Sequence, residues 1–236
     1  MPSFHSQNHI LEDAIFIADS HYNSQRIDLE LLLNQIKNNQ IKTSQIFFMG
    51  DMFDFLSYEI KYFVKINQNI INLINNIAKT KEIIYLEGNH DFDIKKLFFN
   101  IKVISRDEQY SMWKYNNKNV YISHGDIYTP FTYNIFTKIL RNRYFLKILN
   151  IFDINNQISK YFEKRLMSKS ICHDFEYFDS FAEKRIKEYS IYENDLIIEG
   201  HFHQGKKYKN YINIPSLACG NKYIQIINRK FEVKVI

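Results

Sequence analysis

Glycine and proline are scarce in this 236-residue sequence, six of the first and three of the second. That scarcity excludes collagen-like and mucin-like chains, and a hydrophobic content of 45% excludes a generally disordered one. Cysteine is nearly absent. Cys172 and Cys219 are too few for a disulfide scaffold, and nothing marks the chain as secreted, so a reducing compartment is expected. The opening stretch MPSFHSQNHILEDAIF lacks the basic segment and apolar core of a signal peptide. No apolar run approaches the roughly 18 residues needed to cross a bilayer. The expected location is cytoplasmic, with peripheral membrane contact left open.

What is present is enough chain for one large domain, or a domain with a substantial insertion. Lys plus Arg exceeds Asp plus Glu by 31 − 26 = 5. This mild excess suits an anionic substrate or an anionic membrane surface, and does not by itself indicate nucleic acid. Short apolar runs rich in Ile, Phe, Tyr and Val occupy 14–18, 45–49, 83–87, 120–123 and 196–199, and read as buried strands. Helical spacing predicts helices over 27–36 and 60–77. Strand alternating with helix predicts a layered α/β domain. The stretch 128–192 has no glycine and no strand pattern, and its spacing predicts helices over 133–152, 158–167 and 175–189. It reads as a helical insertion, or cap, within a single domain spanning 1–236. Strand-like patterns return at 208–214, 223–228 and 231–236, with a hairpin turn at Asn228-Arg229-Lys230.

Each of the five early runs ends in a polar cluster. These are Ala18-Asp19-Ser20-His21, Gly50-Asp51-Met52-Phe53-Asp54, Gly88-Asn89-His90-Asp91, Ser123-His124-Gly125-Asp126 and Gly200-His201-Phe202-His203. Loops at the carboxyl ends of core strands are where α/β folds place their sites. Asp19, His21, Asp51, Asn89, His124, His201 and His203 together form an oxygen and imidazole set without thiolate, suited to Mn²⁺, Zn²⁺ or Fe. One tetrahedral ion cannot use seven ligands; two ions bridged by one carboxylate can. Asp19 and His21 are two apart, as are His201 and His203, and in extended backbone each pair would face one side. Two ions about 3.5–4 Å apart would clamp a phosphoryl group and generate hydroxide near neutral pH.

The ordered blocks Asp19-x-His21, Gly50-Asp51, Gly88-Asn89-His90-Asp91, His124 and Gly200-His201-x-His203 resemble those of the calcineurin-like metallophosphoesterases. The resemblance covers roughly 12–127 and 194–236. It implies a four-layer α/β/β/α sandwich and two divalent ions, Mn²⁺ first, with Zn²⁺ or Fe sharing the same ligands. One ion would take Asp19, His21, Asp51 and His203, the other Asp51, Asn89, His124 and His201. His90 would contact the phosphate or protonate the leaving oxygen, with Asp91 orienting its imidazole.

Within that family the chain looks most like the UDP-2,3-diacylglucosamine pyrophosphohydrolases of lipid A synthesis, by its size, its His124-Gly125-Asp126 block and its helical insertion. The substrate so implied is a lipid-linked UDP-sugar, split to UMP and the diacylated sugar 1-phosphate at the inner membrane. In the insertion, Ile135, Phe136, Ile139, Leu140, Leu146, Ile148, Leu149 and Phe152 are interleaved with Lys138, Arg141, Arg143 and Lys147. Such a helix either lines a lipid surface or packs its apolar face on the core. Arg165, Ser168 and Lys169, with Asn89, resemble that family's contacts to sugar and phosphate; solvated helix-face charge is the alternative for the first three. The chain departs at His90, where well-known members have Arg, giving GNHD rather than GNRD. A phosphate monoester, with a second pKa of about 6, leaves without a proton, whereas an alkoxide needs a general acid. His90 therefore also fits a phosphodiesterase or phosphatase acting on a soluble substrate. A non-catalytic scaffold should show eroded ligands, and all seven are present. A nuclease is disfavoured by the absence of a strongly basic face. His5 and His9 lie near the terminus and read as bystanders, Cys172-His173 and Trp113 as structural, and Cys219 as a small buried side chain behind the site.

Overall fold

A computed structural model describes residues 8–129 and 131–236, without the side chains of Phe131 and Phe136; His5 therefore lies outside the described residues. Four parallel strands, β1 (Ile15–Ile17), β2 (Gln45–Phe48), β3 (Glu82–Leu86) and β4 (Lys102–Ile104), lie side by side. Helices α1 (Asp28–Lys37), α2 (Lys61–Ile66) and α3 (Gln68–Ile77) connect the first three. The sequence spacing predicted one helix where α2 and α3 stand. Asn67 interrupts it, its side-chain amide donating to the Phe63 carbonyl at 2.9 Å in competition with the helix ladder.

A second sheet holds β5 (Ser111–Tyr115), β6 (Lys118–Ser123), β7 (Leu196–Glu199), β8 (Lys207–Tyr208) and β9 (Tyr211–Asn213), in the order β5-β6-β7-β9-β8. The single strand expected over 208–214 is the antiparallel pair β8 and β9. The last two strands, β10 (Lys222–Ile227) and β11 (Lys230–Val235), return to the first sheet, ordered β11-β10-β1-β2-β3-β4.

Because the inner strands are covered on both faces, they read as continuous apolar runs, and their period of two sorts the side chains. Ile15, Ile17, Ile46, Phe48, Ile83 and Tyr85 pack toward α1 and α3. Phe16, Phe47, Ile84 and Leu86 pack instead against Trp113, Val120, Ile122 and Ile198 of the second sheet. Phe47 bridges this layer, stacked on Phe16 with centroids 4.6 Å apart and edge-on to Trp113 at 4.9 Å. The outer face of the second sheet is covered by α7 (Phe178–Tyr189), through Phe178, Ala182 and Tyr189. Helix, sheet, sheet and helix give four layers, as the family resemblance implied.

Between β6 and β7 lie α4 (Phe131–Leu140), α5 (Arg143–Phe152), α6 (Gln157–Met167) and α7. The first two were expected as one helix. Asn142 breaks it, leaving helical geometry so that its side chain accepts the Tyr144 and Phe145 amides, both at 3.0 Å. Leu146 and Leu149 pack on Phe63 and Phe92, whereas Ile139, Ile148 and Phe152 are more than half exposed. Part of the apolar side of the cap thus packs on the core and part stands exposed; the Phe136 side chain lies outside the described residues.

Candidate metal centre

The five polar clusters follow β1, β2, β3, β6 and β7, and the two sheets bring them to one end of the sandwich. Donor atoms converge in three groups, each within 4.8 Å: Asp19, His21 and His203; His21, Asp51 and His90; Asp51, His124 and His201. Asp51 is shared by two groups. Asn89 joins through its side-chain oxygen, 3.2 Å from His124 Nε2.

Backbone geometry differs from the extended arrangement expected. Asp19, His21, Asp51, His201 and His203 all have φ between 42° and 63°. Left-handed backbone costs a residue with a Cβ about 1 kcal/mol or more, and it persists only where the surroundings over-determine it. Here it folds each ligand segment back on itself at the strand end. Glycine permits the close approach that remains: a Cβ on Gly50 would collide with the His124 ring, and one on Gly88 with the Asp51 carboxylate.

Carbonyl oxygens fix the imidazole tautomers. His124 Nδ1 bonds the Met49 carbonyl at 2.8 Å, His203 Nδ1 the Ile171 carbonyl at 2.8 Å, and His90 Nδ1 the Asp54 carbonyl at 2.6 Å. A carbonyl only accepts, so Nδ1 carries a proton in each ring and Nε2 is the nitrogen that faces the centre. His203 Nε2 stands 3.3 Å from Asp19 Oδ1, and His124 Nε2 stands 3.5 Å from Asp51 Oδ2. Asp19 Oδ1 and His21 Nδ1 are buried without a hydrogen-bond partner. His21 Nδ1 faces the Asp54 carboxylate at 3.5 Å, whereas the Asp19 oxygen, left unbonded among the imidazoles of His21 and His203, fits a bound cation.

Electrostatics point the same way. Burial opposes ionisation of Asp51, but His124, His90 and His21 hold its carboxyl well below the ordinary range. Burial likewise opposes charge on His124, yet Asp51 beside it raises that imidazole to about 10. Burial, then the charge on His124, lowers His201 to about 4. Asp51 first, then Asp126 and Asp19, thus retain a proton on His124 that a divalent ion would displace on binding.

Some sequence assignments are corrected. Asp91 does not orient His90. Its buried carboxylate accepts the amides of Asp51 (3.0 Å), Met52 (2.6 Å) and Gly88 (2.8 Å) and the Tyr85 hydroxyl (2.6 Å). It therefore locks the β2 and β3 loops together, while Asp54, unassigned from sequence, holds the His90 ring. Of the three cap residues, only Lys169 lines the cleft; Arg165 and Ser168 are exposed on the end of α6, with Ser168 Oγ donating to the Arg165 carbonyl at 2.9 Å. Cys172 and Cys219, read from sequence as too few for a disulfide scaffold and as separate structural side chains in a reducing compartment, form a disulfide with Cα atoms 5.6 Å apart.

The cleft encloses about 240 Å³ and is lined by His21, Asp51, Asn89, His90, His201 and His203 on one side. Lys169, Ser170, Ile171, His173 and Phe175 line the other. Larger cavities of about 730 and 740 Å³ lie at the edge of the second sheet and between α2 and α5, away from these donors.

The profile of the family described as calcineurin-like phosphoesterase matches residues 14–205. The UDP-2,3-diacylglucosamine hydrolases of two Coxiella burnetii strains, Dugway 5J108-111 and RSA 493 / Nine Mile phase I, are 27% identical over 117 residues. That is 49% of this chain and 48% of theirs, so the match spans about half the length of these curated relatives. Among solved structures, the phosphoesterase Yfce from E. coli aligns with TM-score 0.48 and 11% identity, over 95% of this chain and 99% of that one. Pseudomonas putida nuclease MPE aligns with TM-score 0.41 and 11% identity, over 94% and 87%. Matched from Ala14 to Gly205, through all five polar clusters, the chain belongs to the calcineurin-like phosphoesterase family.

Proposed function

We propose that the protein is a hydrolase holding two divalent metal ions, Mn²⁺ by preference, and that it cleaves the diphosphate of UDP-2,3-diacylglucosamine to UMP and the diacylated sugar 1-phosphate. The observation that carries the hydrolase reading is the chaining of three donor groups, the first to the second through His21 and the second to the third through the carboxylate of Asp51. Asp19, His21, Asp51 and His203 would hold one ion, and Asp51, Asn89, His124 and His201 the other. Bound there, the ions supply charge neutralisation for the phosphoryl oxygens and a nucleophilic water at neutral pH.

The rest follows from the chain's own groups. Carbonyls hold His124 and His203 with Nε2 inward, so neither ring rotates when a substrate enters. His90 keeps its Nδ1 proton on the Asp54 carbonyl, and Nε2 is the atom that takes up or releases a second proton at the leaving oxygen. Lys169, at the cleft wall, faces the phosphates as a point charge.

Support for the lipid-linked substrate comes from the name borne by the Coxiella relatives and from the cap. Tyr144, Ile148, Ile151, Phe152, Ile154 and Tyr161 are each more than half exposed. Apolar surface of that extent is suited to acyl chains or to the membrane that carries them. A second reading, a phosphodiesterase on a soluble substrate, is favoured by His90, since a proton donor matters most for an alkoxide leaving group.

Hydrolysis of a panel containing the diacylated UDP-sugar, its deacylated form and a simple diester separates the two. Preference for the acylated compound, with ¹⁸O from water appearing in UMP, supports the first reading. Equal or better turnover of the simple diester selects the second, and label confined to the lipid product excludes attack at the uridine-side phosphorus.

A further inference from the structure

The cleft wall formed by 170–175 belongs to no helix or strand. Three hydrogen bonds and one covalent bond tie it to the core. The Ile171 carbonyl accepts from His203 Nδ1 at 2.8 Å, the His173 carbonyl accepts from Gln204 Nε2 at 2.8 Å, and the Phe175 amide donates to Gln204 Oε1 at 2.7 Å. The covalent tie is the Cys172–Cys219 disulfide, between residues 47 apart in sequence.

Its core end is itself braced on the centre. Cys219 closes the short turn Leu217–Cys219, whose Leu217 amide donates to the Ala18 carbonyl at 2.9 Å, and Ser216 Oγ before it donates to the Asp19 carbonyl at 2.8 Å. Cys219 Sγ lies 3.7 Å from His203 Nδ1, beside the hydrogen bond that sets this ring's tautomer. Cys172 is exposed and Cys219 half-buried, so an external thiolate reaches the Cys172 sulfur first.

We propose that this disulfide is a redox-controlled clamp on the metal centre. Oxidised, it holds Ile171 against His203 and keeps Lys169 and His173 at the mouth of the cleft. Opened by a dithiol reductant, it frees the wall, and His203 loses the carbonyl that orients it. In the reaction a thiolate of the reductant attacks Cys172 Sγ and forms a mixed disulfide. Cys219 leaves as a thiolate and takes up a proton. The reductant's second thiol then displaces Cys172, which is also protonated. Two electrons and two protons pass to the protein, and the dithiol becomes a disulfide.

The turnover part of this proposal rests on the hydrolase reading; the structural part does not. The test uses the full chain, oxidised and after treatment with dithiothreitol that is removed anaerobically before measurement. Mn²⁺ affinity by calorimetry, amide hydrogen exchange over 168–175 and hydrolysis of a simple diester are read on both forms and on Cys172→Ser. Reduction should raise exchange in that segment, weaken Mn²⁺ binding about tenfold, as loss of an orienting partner does, and lower turnover in step, with reoxidation restoring all three. Cys172→Ser should match the reduced protein and ignore dithiol. Equal Mn²⁺ affinity and equal exchange in the two forms of the unsubstituted chain overturn the clamp, as do two free thiols per chain in air-exposed folded protein. An oxidised chain that hydrolyses no phosphoester overturns the hydrolase reading alone, because affinity and exchange still decide the clamp.

Discussion

His90 is fixed at one nitrogen by the Asp54 carbonyl and opens onto the cleft with the other, so its replacement discriminates between leaving groups. His90→Gln should reduce kcat on an alkyl diester about 10²- to 10⁴-fold. On a diphosphate, whose leaving group departs without a proton, the loss should be small. Steady-state kinetics on both substrates provide the check, and an equal loss on both would assign His90 to binding rather than proton transfer. Glu87, just before the Gly88 block, gives a pH signature. Burial raises its carboxyl to about 7, and its side chain accepts the Ile94 amide at 3.1 Å. A carboxyl whose pKa is higher folded than unfolded binds its proton more tightly when folded. Its stabilisation is complete below about 4.5 and is lost as pH rises through about 7. Glu87→Gln keeps the acceptor and removes the titration. Denaturation at pH 5 and pH 8 should show the variant gaining about 3 kcal/mol over the parent at the higher pH relative to the lower; parallel curves would show that Glu87 does not titrate there.

At the scale of elements, the cap is joined to the second sheet by a buried charge pair. Arg185 of α7 donates to Glu199 at the end of β7, with Nε to Oε2 at 2.9 Å, and Tyr189 and Tyr211 donate to the same carboxylate at 2.7 and 2.8 Å. Glu199 immediately precedes Gly200, so this pair also anchors the loop of His201 and His203. Removing one member of a buried pair leaves an uncompensated charge: Glu199→Ala should cost about 3–5 kcal/mol in denaturant unfolding. Arg185→Met with Glu199→Met should cost much less than Glu199→Ala, and a double variant as unstable as the single one would show that packing, not charge, is at stake. The β10–β11 hairpin offers the opposite sign. Asn228 and Arg229 both take positive φ, 49° and 64°, the type I′ turn that suits the twist of two-residue hairpins. Asn adopts that backbone at little cost and Arg at more, so Arg229→Gly should stabilise by about 0.5–1 kcal/mol, seen as a higher Tm at unchanged fold. The sequence marked this turn because turn chemistry is local. It did not show the breaks at Asn67 and Asn142, where a helical apolar period continues across a residue whose side chain has captured backbone groups.

At the scale of the whole molecule, the centre joins loops from both sheets, so its occupancy should be felt as global stability. Buried Asp19 and Asp51 face one another through imidazoles, and a cation removes that repulsion. Saturating Mn²⁺ at 100 times its Kd should add about 2.7 kcal/mol, and chelation should lower Tm by the corresponding amount and abolish hydrolysis. A Tm indifferent to chelator would argue against a metal held by these residues. Among the described residues no helix is long and apolar enough to cross a membrane. Sequence alone determined the five strands that carry the polar clusters, the clusters themselves and the layered α/β class. Burial on both faces forces continuous apolar runs, and scarce glycine is retained where backbone must pass a ligand. Only the tertiary structure decided that Asp19 meets the His201 amide 182 residues away, that Asp91 locks two loops instead of orienting His90, and that two isolated cysteines form a disulfide. Those pairings are set by how sheets and cap pack, and local propensity carries no record of partners so distant along the chain.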